Sequence, residues 1–313
     1  MTGAAPDAAP DAAPDGAGAP LVSTRADVDI AIDRLAGARS PLLVVADFDG
    51  TLSVGSRDPA HAHVEPAAQR ALRHLARLAT DRPGRLHVVI LTGRTVADAA
   101  ARVRVGGVEY LGDHGLQHAT VARGGRAASA QVVTEPRFDR HRDPAEALAR
   151  GVATELGTPP WLYVERKGPS VAFHVRQAED VPAARAAVLA AIAVVETRER
   201  LCDHGLSHYR GRSVVDLRPV EAGGKREAVE RLLVRHRPGA VVVLGDELSD
   251  VDAFEAVAAA RGLDPALVGV GVAIHAGARS APPELLTVAD LRLASAQRVG
   301  PFLAALARTL EGG

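Results

Sequence analysis

The sequence predicts an α/β protein whose core is a doubly wound parallel sheet, interrupted by a smaller inserted α+β domain. Three short aliphatic runs, each followed at once by small, polar or acidic residues, predict buried strands. The segments between them have helical periodicity, whereas a long later segment alternates between apolar and polar residues. Strands that alternate with helices are typical of a parallel sheet covered on both faces.

The aliphatic runs are Leu42 to Ala46, Leu86 to Leu91 and Val241 to Leu244. Continuous apolar runs of this length suit strands that are buried on both faces. Helical periodicity is clear between them, in Ala67 to Leu78 and in Lys225 to Val234. The residues that directly follow or closely follow the three runs are Asp47, Thr92 and Asp246. Because ligands of such sheets bind beyond the carboxyl ends of the strands, we expect these residues to surround one crevice.

An inserted domain, a cap, is predicted over residues 117–220. Ser170 to Arg176 and Gly211 to Arg218 alternate with period two, which is typical of half-exposed strands. Val181 to Val195 is rich in alanine and has the pattern of a helix. The cap is therefore predicted to be a small α+β domain.

The catalytic core is predicted to occupy residues 36–116 and 221–313, on either side of the cap. Its second part contains a further predicted strand, Val268 to Ala273, and ends in an amphipathic helix, Arg298 to Leu310. Residues 1–35 are predicted to be an Ala/Pro-rich tail and a leading segment. The tail repeats Asp-Ala-Ala-Pro and offers too little apolar bulk to pack, so we predict that its first twenty residues are disordered.

The overall composition predicts a soluble cytoplasmic protein. The 313 residues carry a formal net charge of −1, which argues against a nucleic-acid partner. Cys202 is the only cysteine, so the sequence offers no intrachain disulfide, no thiolate zinc site and no sign of an oxidising compartment. The sequence has no basic and apolar leader typical of secretion, and no stretch is apolar enough to cross a bilayer.

The strongest motif is Asp47-Phe48-Asp49-Gly50-Thr51-Leu52, directly after the first predicted strand. Carboxylates at i and i+2 leave a strand end on the same side, where they can share a substrate and a metal. Phosphoryl transfer needs one carboxylate to attack phosphorus and another to protonate the leaving oxygen and then deprotonate water. Gly50 allows a tight turn whose N–H groups can receive phosphate oxygens. The alternative is an acidic turn without function, which is common after strands.

Three further motifs complement a phosphate or a hard cation. Thr92-Gly93-Arg94 offers a hydroxyl and backbone amides to a phosphate oxygen. Lys225 opens a predicted helix and can neutralise both the nucleophilic carboxylate and the transferring phosphoryl group. Asp246 and Asp250 are close enough across one helical turn to ligate a cation directly and through water. Alone, these motifs are compatible with a helix cap, a solvent-facing lysine and a capping cluster. Together they predict a magnesium-dependent phosphatase.

In this order, the motifs resemble those of the haloacid dehalogenase (HAD) superfamily of phosphatases. The resemblance implies a HAD-like core and an aspartyl-phosphate intermediate on Asp47. The insertion at 117–220 corresponds to the C2-type cap of that superfamily, whereas only a short segment, Ser53 to Glu65, follows the first motif. A large C2-type cap implies a small-molecule substrate.

A finer resemblance is to the trehalose-6-phosphate phosphatase family, and it covers most of residues 40–310. The segments that carry it are GDHGL (112–116), VERKG (164–168), SVAFHVR (170–176), GRSVVDLRP (211–219) and GDELSDVDAF (245–254). The Glu-x-Lys and His-x-Arg run within the cap is much more specific to this family than the nucleophile motif. The resemblance therefore implies hydrolysis of trehalose 6-phosphate, as a step of trehalose biosynthesis.

Four positions depart from the usual residues of the family. The family usually has Asp at Glu247, Thr at Ser249, Gly at Arg226 and Ser at Asp113. Glu247 keeps the negative charge but adds a methylene group beside the implied metal. Asp113 changes the contacts that we expect near the substrate.

The resemblance also implies roles for individual residues. Magnesium would be held by the Asp47 carboxylate, the Asp49 carbonyl and Asp246, with Asp250 behind them. The implied catalytic residues are Asp47, Asp49, Thr92 and Lys225. The implied substrate-binding residues are Thr51, Gly93, Arg94, Glu165, Lys167 and His174.

Two parts of the implied sugar site have structural alternatives. Glu165 and Lys167, two apart in an extended stretch, would point to the same face and hydrogen-bond sugar hydroxyls. Their alternative is an exposed ion pair of little energetic value. For His174, which lies in an alternating strand, the alternative is a packing or surface position.

Other functions remain open at the level of the sequence. The core motifs recognise only phosphate and metal, so another sugar phosphate, such as sucrose phosphate or a glycosyl phosphoglycerate, is an alternative substrate. A second alternative is a regulatory partner of a trehalose-phosphate synthase, and an active enzyme can also associate with such a synthase. The intact acidic and lysine motifs favour an enzyme over a regulatory partner.

Overall fold

The computed structural model describes residues 22–54, 61–201, 203–210, 213–275 and 282–313. The helices are α1 (Arg25–Ala36), α2 (Pro66–Asp81), α3 (Val96–Val103), α4 (Arg142–Glu155), α5 (Val181–Arg198), α6 (Gly224–His236), α7 (Leu248–Leu263), α8 (Pro283–Val288) and α9 (Ala296–Gly312). The strands are β1 (Leu42–Ala46), β2 (Leu86–Leu91), β3 (Val108–Gly112), β4 (Gln117–Val121), β5 (Val133–Thr134), β6 (Tyr163–Arg166), β7 (Val171–His174), β8 (Leu206–Arg210), β9 (Val214–Pro219), β10 (Ala240–Gly245), β11 (Val268–Ile274) and β12 (Leu291–Leu293).

Some of the predicted features fall outside the described residues. They are the disordered tail over residues 1–20, Cys202, part of the short segment after the first motif, and residues 211–212 of a predicted cap strand. Among the helices that the structure describes, none combines the length and the apolar character needed to cross a membrane.

Within the described residues, the core sheet contains eight strands in the order β12-β11-β10-β1-β2-β3-β4-β5. β1 lies between β10 and β2 and runs parallel to both. The pairings from β12 to β3 are parallel, whereas β4 and β5 add an antiparallel edge. The predicted doubly wound α/β core is confirmed, and the predicted bounds of β1 and β2 match the structure.

Both faces of the core sheet are covered by helices. Leu42 and Val44 of β1 pack in a cluster with residues of α1, α2, α3 and α9. Leu43 and Val45 point to the opposite face and pack with residues of α6, α7 and α8. Since successive side chains of a strand face opposite sides, a strand buried on both sides has to be apolar throughout.

The leading segment of the chain contains a helix that the sequence analysis did not predict. Thr24 caps α1, because its hydroxyl accepts from the N–H of Asp27 while the Asp27 carboxylate accepts from the N–H of Thr24. Ile32 and Leu35 on the inner face of α1 are buried in the core. The core therefore starts before residue 36, where the prediction placed its beginning.

The cap is built on an antiparallel sheet with the order β6-β7-β9-β8. Val171 and Phe173 of β7 are buried against α4 and α5, whereas Ala172 and His174 face a large cleft between cap and core. The predicted α+β character of this domain agrees with its strands and helices. Its predicted first residue, 117, is wrong, because β4 and β5 pair with the core sheet. The apolar and polar alternation of β4 is that of an edge strand, and alternation alone does not separate a core edge from a cap strand.

Two glycines in helices allow the packing of α2 against α9 to be tested. A Cβ at Gly300 in α9 would lie 2.6 Å from the Ala67 Cβ and 2.7 Å from backbone atoms of α2, and Pro301 follows directly. A Cβ at Gly262 in α7 would meet nothing within 4 Å. We expect Gly300→Ala to lower the free energy of unfolding by about 1–3 kcal/mol, because the two helices have to separate.

Gly262→Ala is the matched control, and it should raise the free energy of unfolding by about 0.5 kcal/mol through helix propensity. Urea unfolding followed by circular dichroism measures both effects. Equal free energies of unfolding for the two variants would contradict close helix packing at Gly300.

Candidate active site

Residues from three neighbouring strands meet at the carboxyl edge of the core sheet. Asp47 follows β1, Thr92 follows β2 and Asp246 follows β10. Because these strands are adjacent and parallel, their carboxyl ends lie side by side. The predicted crevice around these three residues therefore agrees with the strand order.

A buried lysine joins two of the predicted acidic residues. The Lys225 Nζ lies 2.8 Å from the Asp47 Oδ1 and 2.7 Å from the Asp250 Oδ1, and the Lys225 side chain is fully buried. Gly223 and Gly224, with φ values of 64° and 65°, turn the chain into α6 so that Lys225 lies in its first turn. The lysine predicted to neutralise the nucleophile is thus in contact with it.

Asp250 also orders the loop that carries Asp246. Its Oδ2 accepts from the backbone N–H groups of Asp246 and Glu247, at 3.0 and 3.1 Å. Glu247, where the family usually has Asp, caps α7 and accepts from the Ser249 hydroxyl at 2.8 Å. Thr51 from the first motif donates to the Asp246 Oδ1 at 3.1 Å, which ties the two acidic loops together.

The acidic residues form a group that can hold a metal ion. Asp47, Asp246 and Asp250 each offer a carboxylate oxygen, and these oxygens lie within 4.8 Å of one another. The Asp47 Oδ2 is buried and has no hydrogen-bond partner among the described residues. Gly50 leaves room here, because a Cβ at that position would lie 2.0 Å from the Asp246 Oδ2. A hard divalent cation fits this set of oxygen donors.

Burial makes these carboxylates difficult to keep ionised. It raises the pKa of Asp47 well above its ordinary value, and the nearby Lys225 ammonium opposes this rise. The pKa of Asp246 is also raised, first by burial and then by the negative charge of Asp47. The two lysine contacts and a bound cation therefore have the same effect, which is to favour the ionised form of the carboxylates.

Thr92, Gly93 and Arg94 form a loop beside the acidic group, which we call the TGR loop. The N–H of Arg94 donates to the Thr92 Oγ1 at 3.2 Å, so the hydroxyl hydrogen remains available for a phosphate oxygen. Gly93 lies against the His114 ring, and a Cβ there would be 2.7 Å from the ring nitrogen. The loop was predicted to bind phosphate, and it lies at the strand edge that such binding requires.

Arg94 has a partner that the sequence did not predict. Its guanidinium donates to both carboxylate oxygens of Asp49, at 2.6 and 2.8 Å, and to Asp98 at 2.6 Å. Burial acts to lower the pKa of Arg94, but the hydrogen bonds that it donates to Asp49 and Asp98 outweigh burial and raise this pKa above its ordinary value. Arg94 thus fixes the side chain of Asp49, in addition to any contact with a phosphate.

The cap forms the opposite wall of a cavity of about 1090 Å³. Asp47, Asp49 and Thr92 lie on its core side, and Glu165, Lys167 and His174 lie on its cap side. The Glu165 Oε2 lies 2.9 Å from the His174 Nε2, and Tyr163 packs on the same histidine. Glu165 and His174 therefore form one polar unit on the wall, as the alternating strand pattern allows.

Lys167 is buried rather than exposed. Only 3% of its side chain is accessible, and its Nζ lies 3.4 Å from Asp216, 3.5 Å from Asp113 and 3.9 Å from Glu165. It also donates to the carbonyl oxygen of Gly93 in the TGR loop at 2.9 Å. The pair of Glu165 and Lys167 is therefore part of a larger buried network, which differs from the exposed ion pair considered as the alternative.

Four polar residues of this network were not predicted as site residues: Asp113, His114, Asp216 and Arg218. Only Asp113 was expected to lie near the substrate, as a departure from the family. Burial and the charge of Arg218 lower the pKa of His114 to about 3, so its ring is uncharged near neutral pH. Asp216 lies 3.1 Å from Arg218 and 3.4 Å from His114. The sequence holds a signal for two of them. Asp113 directly follows Tyr110-Leu111-Gly112 at the end of a strand, and Asp216 is an acidic residue between Val215 and Leu217.

Comparisons with known proteins agree on one family. The sequence model of the trehalose-phosphatase family matches residues 45–268. The trehalose-phosphate phosphatase of Mycobacterium tuberculosis (strain H37Rv) is 34% identical over 233 residues, which cover 70% of this chain and 52% of that protein. The Mycobacterium avium (strain 104) trehalose-phosphate phosphatase is 34% identical over 294 residues, 90% of this chain and 65% of that protein. The chain thus spans about half to two thirds of the length of these relatives.

Solved structures with the same fold include enzymes and a regulatory protein. The C-terminal domain of C. albicans trehalose-6-phosphate phosphatase has a TM-score of 0.68 at 19% identity, over 93% of this chain and 99% of that one. The C-terminal domain of the Candida albicans trehalose synthase regulatory protein has a TM-score of 0.61 at 13% identity, over 88% of this chain and 97% of that one. Because the sequence identities to these two solved structures are below 25%, the structural matches support the fold alone.

The contact of Lys225 with two buried carboxylates generates a stability prediction. We expect Lys225→Met to lower the free energy of unfolding by about 3–5 kcal/mol near neutral pH, because Asp47 and Asp250 lose their shared cation. Without the Lys225 ammonium, nothing opposes the effect of burial on the pKa of Asp47, so this pKa is raised further in the folded state and that state binds more protons than the unfolded one as the pH falls. The deficit should therefore shrink as the pH is lowered from neutral.

Arg198→Met is the matched control, because Arg198 pairs with Glu155 at 2.8 Å through a side chain that is half exposed. It should cost less than about 1 kcal/mol at either pH. Denaturant unfolding at several pH values measures both variants. A Lys225→Met deficit as small as the control's would contradict the buried charge contact.

Proposed function

The chain belongs to the trehalose-phosphatase family, and on that premise we propose that it hydrolyses trehalose 6-phosphate to trehalose and phosphate. The observation that carries this proposal is the contact of Lys225 with Asp47 and Asp250, at the strand edge that also holds the TGR loop. This arrangement combines a nucleophile, a fixed cation and phosphate-binding amides, which are the groups that phosphoryl transfer requires.

In the proposed reaction, Asp47 and Asp49 divide the chemistry between them. The Asp47 carboxylate attacks phosphorus, and the bond from phosphorus to the sugar oxygen breaks. Asp49 donates a proton to that leaving oxygen and afterwards takes a proton from the water that hydrolyses the aspartyl-phosphate. The two contacts from Arg94 hold Asp49 at the wall of the cavity, which Asp47 also lines.

Lys225, Thr51 and Thr92 would support the phosphoryl group in this reaction. The Lys225 ammonium lies against the nucleophile, where it can offset the negative charge on the transferring oxygens. Thr92 can donate its hydroxyl hydrogen to a phosphate oxygen, because its oxygen already accepts from the N–H of Arg94. The Thr51 hydroxyl donates to Asp246 and so holds that carboxylate in place. By rotation of its side chain, the same hydroxyl can donate to a phosphate oxygen instead.

We propose Mg²⁺ as the cation held by Asp47, Asp246 and the backbone carbonyl of Asp49, with Asp250 in support. The donors are all oxygen atoms, which Mg²⁺ prefers, and the group of carboxylates is one that can hold a metal. When bound, Mg²⁺ would offset the repulsion between the carboxylates and the incoming phosphate. One carboxylate oxygen of Asp250 accepts from Lys225, and the other accepts from two backbone N–H groups. These contacts suit a role in orienting the residues that would bind the cation.

The cap would recognise the sugar. Glu165 and His174 present a carboxylate and an imidazole on the cavity wall, and these can pair with sugar hydroxyls that the wrong sugar would lack. Closure of the cap over the core would keep bulk water away from the phosphoenzyme. Another sugar phosphate remains the alternative substrate, whereas the intact acidic group and Lys225 count against a purely regulatory protein.

The setting of this reaction is also a proposal. We place the enzyme in the cytoplasm, where a chain with a single cysteine suits the reducing conditions. Association with a trehalose-phosphate synthase is a further proposal, which rests on the family resemblance.

A substrate panel with Asp47→Asn as its reference tests the function. We expect wild type to release phosphate from trehalose 6-phosphate faster than from sucrose 6-phosphate or glucose 6-phosphate. Asp47→Asn should lower kcat by about 10⁴-fold or more, because the amide lacks the anionic oxygen that attacks phosphorus. Its circular dichroism spectrum should equal that of wild type. Turnover by Asp47→Asn within tenfold of wild type would refute the covalent mechanism. Equal rates on all three sugar phosphates would refute the assignment of trehalose 6-phosphate as the substrate.

Metal removal tests the proposed cofactor. Excess chelator should abolish phosphate release, Mg²⁺ should restore it, and Zn²⁺ should restore it poorly at a site of oxygen donors alone. Mg²⁺ should also raise the Tm of the unliganded protein, because it relieves the repulsion among three carboxylates. Asp246→Asn should remove that rise in Tm. Full activity in chelator, or an unchanged Tm shift in Asp246→Asn, would contradict the assignment.

A further inference from the structure

The three backbone carbonyls of the TGR loop are all held by other parts of the chain. The backbone N–H of His114 donates to the carbonyl of Thr92 at 2.9 Å, and that of Asp113 donates to the carbonyl of Arg94 at 2.7 Å. The middle carbonyl, of Gly93, accepts instead from the side chain of Lys167 at 2.9 Å. The core thus supplies two of the three contacts, and the cap supplies the third.

These contacts set the direction of the loop amides. The carbonyl of one residue and the N–H of the next lie in a single rigid plane and point in opposite directions. A donor on the Gly93 carbonyl therefore fixes the Arg94 N–H, which in turn holds the Thr92 hydroxyl at 3.2 Å. The ammonium of Lys167 consequently acts on groups that we assign to phosphate, although Lys167 itself lies on the cap.

Asp113 is placed to hold Lys167 in this position. Its side chain is fully buried, its Oδ1 lies 3.5 Å from the Lys167 Nζ, and its Oδ2 accepts from the Ser170 hydroxyl. It thereby contacts both ends of the cap turn 167–170. Asp216 accepts from the Lys167 Nζ at 3.4 Å, and Glu165 lies 3.9 Å from it. However, Asp216 also pairs with Arg218, and Glu165 also pairs with His174.

The backbone at Asp113 has an unusual conformation that supports these contacts. Asp113, His114 and Gly115 have φ values of 50°, 55° and 103°, a conformation that non-glycine residues rarely adopt. This turn is what directs the two N–H groups to the TGR loop while the Asp113 side chain points to the cap. Burial raises the pKa of Asp113 to about 6, and Lys167 opposes the rise, so each of the two charges depends on the other.

We propose that Lys167 and Asp113 are positioning residues of the phosphate site: Asp113 holds the Lys167 ammonium against the Gly93 carbonyl, and this contact orders the TGR loop. This inference deepens the proposed function. It rests on the proposal that the site binds a phosphate ester, but it does not depend on which sugar carries the phosphate. It assigns Lys167 to phosphate binding instead of to the sugar hydroxyls that the sequence predicted.

The test compares two substrates, trehalose 6-phosphate and 4-nitrophenyl phosphate, which has no sugar. Lys167→Met should lower kcat/KM by about 10- to 100-fold on both substrates, and by the same factor, because the loop serves any phosphate ester. Asp113→Asn should lower kcat/KM by about 3- to 10-fold on both. The double variant should lose no more than Lys167→Met alone, since Asp113 acts through Lys167.

Glu109→Gln is the matched control for Asp113→Asn. Glu109 is a mostly buried carboxylate at the opposite end of β3, where it pairs with His118 and Arg235 at 3.0 Å each, away from the cleft. Its replacement changes a buried charge on the same strand but should leave kcat/KM unchanged on both substrates. Thermal unfolding of every variant shows whether a loss of activity merely follows a loss of folded protein.

Hydrogen exchange of the unliganded protein gives a readout that needs no activity. In Lys167→Met, the amide of Arg94 should exchange at least about tenfold faster than in wild type, whereas the amides of β1 should be unchanged. A direct contact of Lys167 with substrate alone would leave this exchange unaltered and would overturn the proposal. If wild type hydrolyses only 4-nitrophenyl phosphate, the substrate assignment fails, but the exchange and aryl phosphate comparisons still decide the role of Lys167.

Three kinetic results would also overturn the inference. A loss confined to trehalose 6-phosphate would make Lys167 a sugar ligand. No loss on either substrate would remove it from the phosphate site. Independent, additive losses in the double variant would mean that Asp113 does not act through Lys167.

Discussion

The contact of the Lys225 ammonium with Asp47 and Asp250 is the interaction on which the rest of the site depends. Two carboxylates buried at the end of a parallel sheet cannot remain ionised side by side without a cation. Lys225 reaches them because two glycines in the left-handed region turn the chain into α6 at that edge. Asp250, once fixed by the lysine, holds the backbone N–H groups that precede α7 and so places Asp246.

The same electrostatic constraint recurs on the cap side of the cavity. Lys167 is a buried cation there, and it faces three carboxylates and one backbone carbonyl. Each of the two lysines of the chain therefore lies where acidic residues from separate parts of the fold converge. In a chain whose other positive side chains are arginines, both lysines occupy sites that suit a compact, point-like charge better than a planar guanidinium.

The sequence was most informative where local pattern and burial agree. β1 and β2 were predicted to the residue, since a strand covered on both faces must be apolar along its whole length. The sequence was sufficient to predict that one crevice contains Asp47, Thr92 and Asp246, because the carboxyl ends of parallel strands lie at one edge of the sheet. The prediction of 117 as the first cap residue was wrong, because the period-two pattern of β4 suits a core edge and a cap strand equally. Asp113 follows β3 as Asp47 follows β1, yet a single acidic residue after a strand is too common to be assigned a role from pattern alone.

The sequence by itself determined the alternation of the main core strands and helices, the edge of the sheet where the polar motifs meet, and the types of donor and acceptor present there. Those properties follow from hydrophobic periodicity and from residue chemistry, which are local. Only the tertiary structure decided which charges pair: Arg94 with Asp49, Lys225 with Asp250, and Lys167 with Asp113 and the Gly93 carbonyl. The physical reason is that a pairing between buried charges depends on distances of a few ångströms between side chains far apart along the chain. The packing of strands and helices within the core sets these distances for Arg94 and Lys225, and the packing of the cap on the core sets them for Lys167.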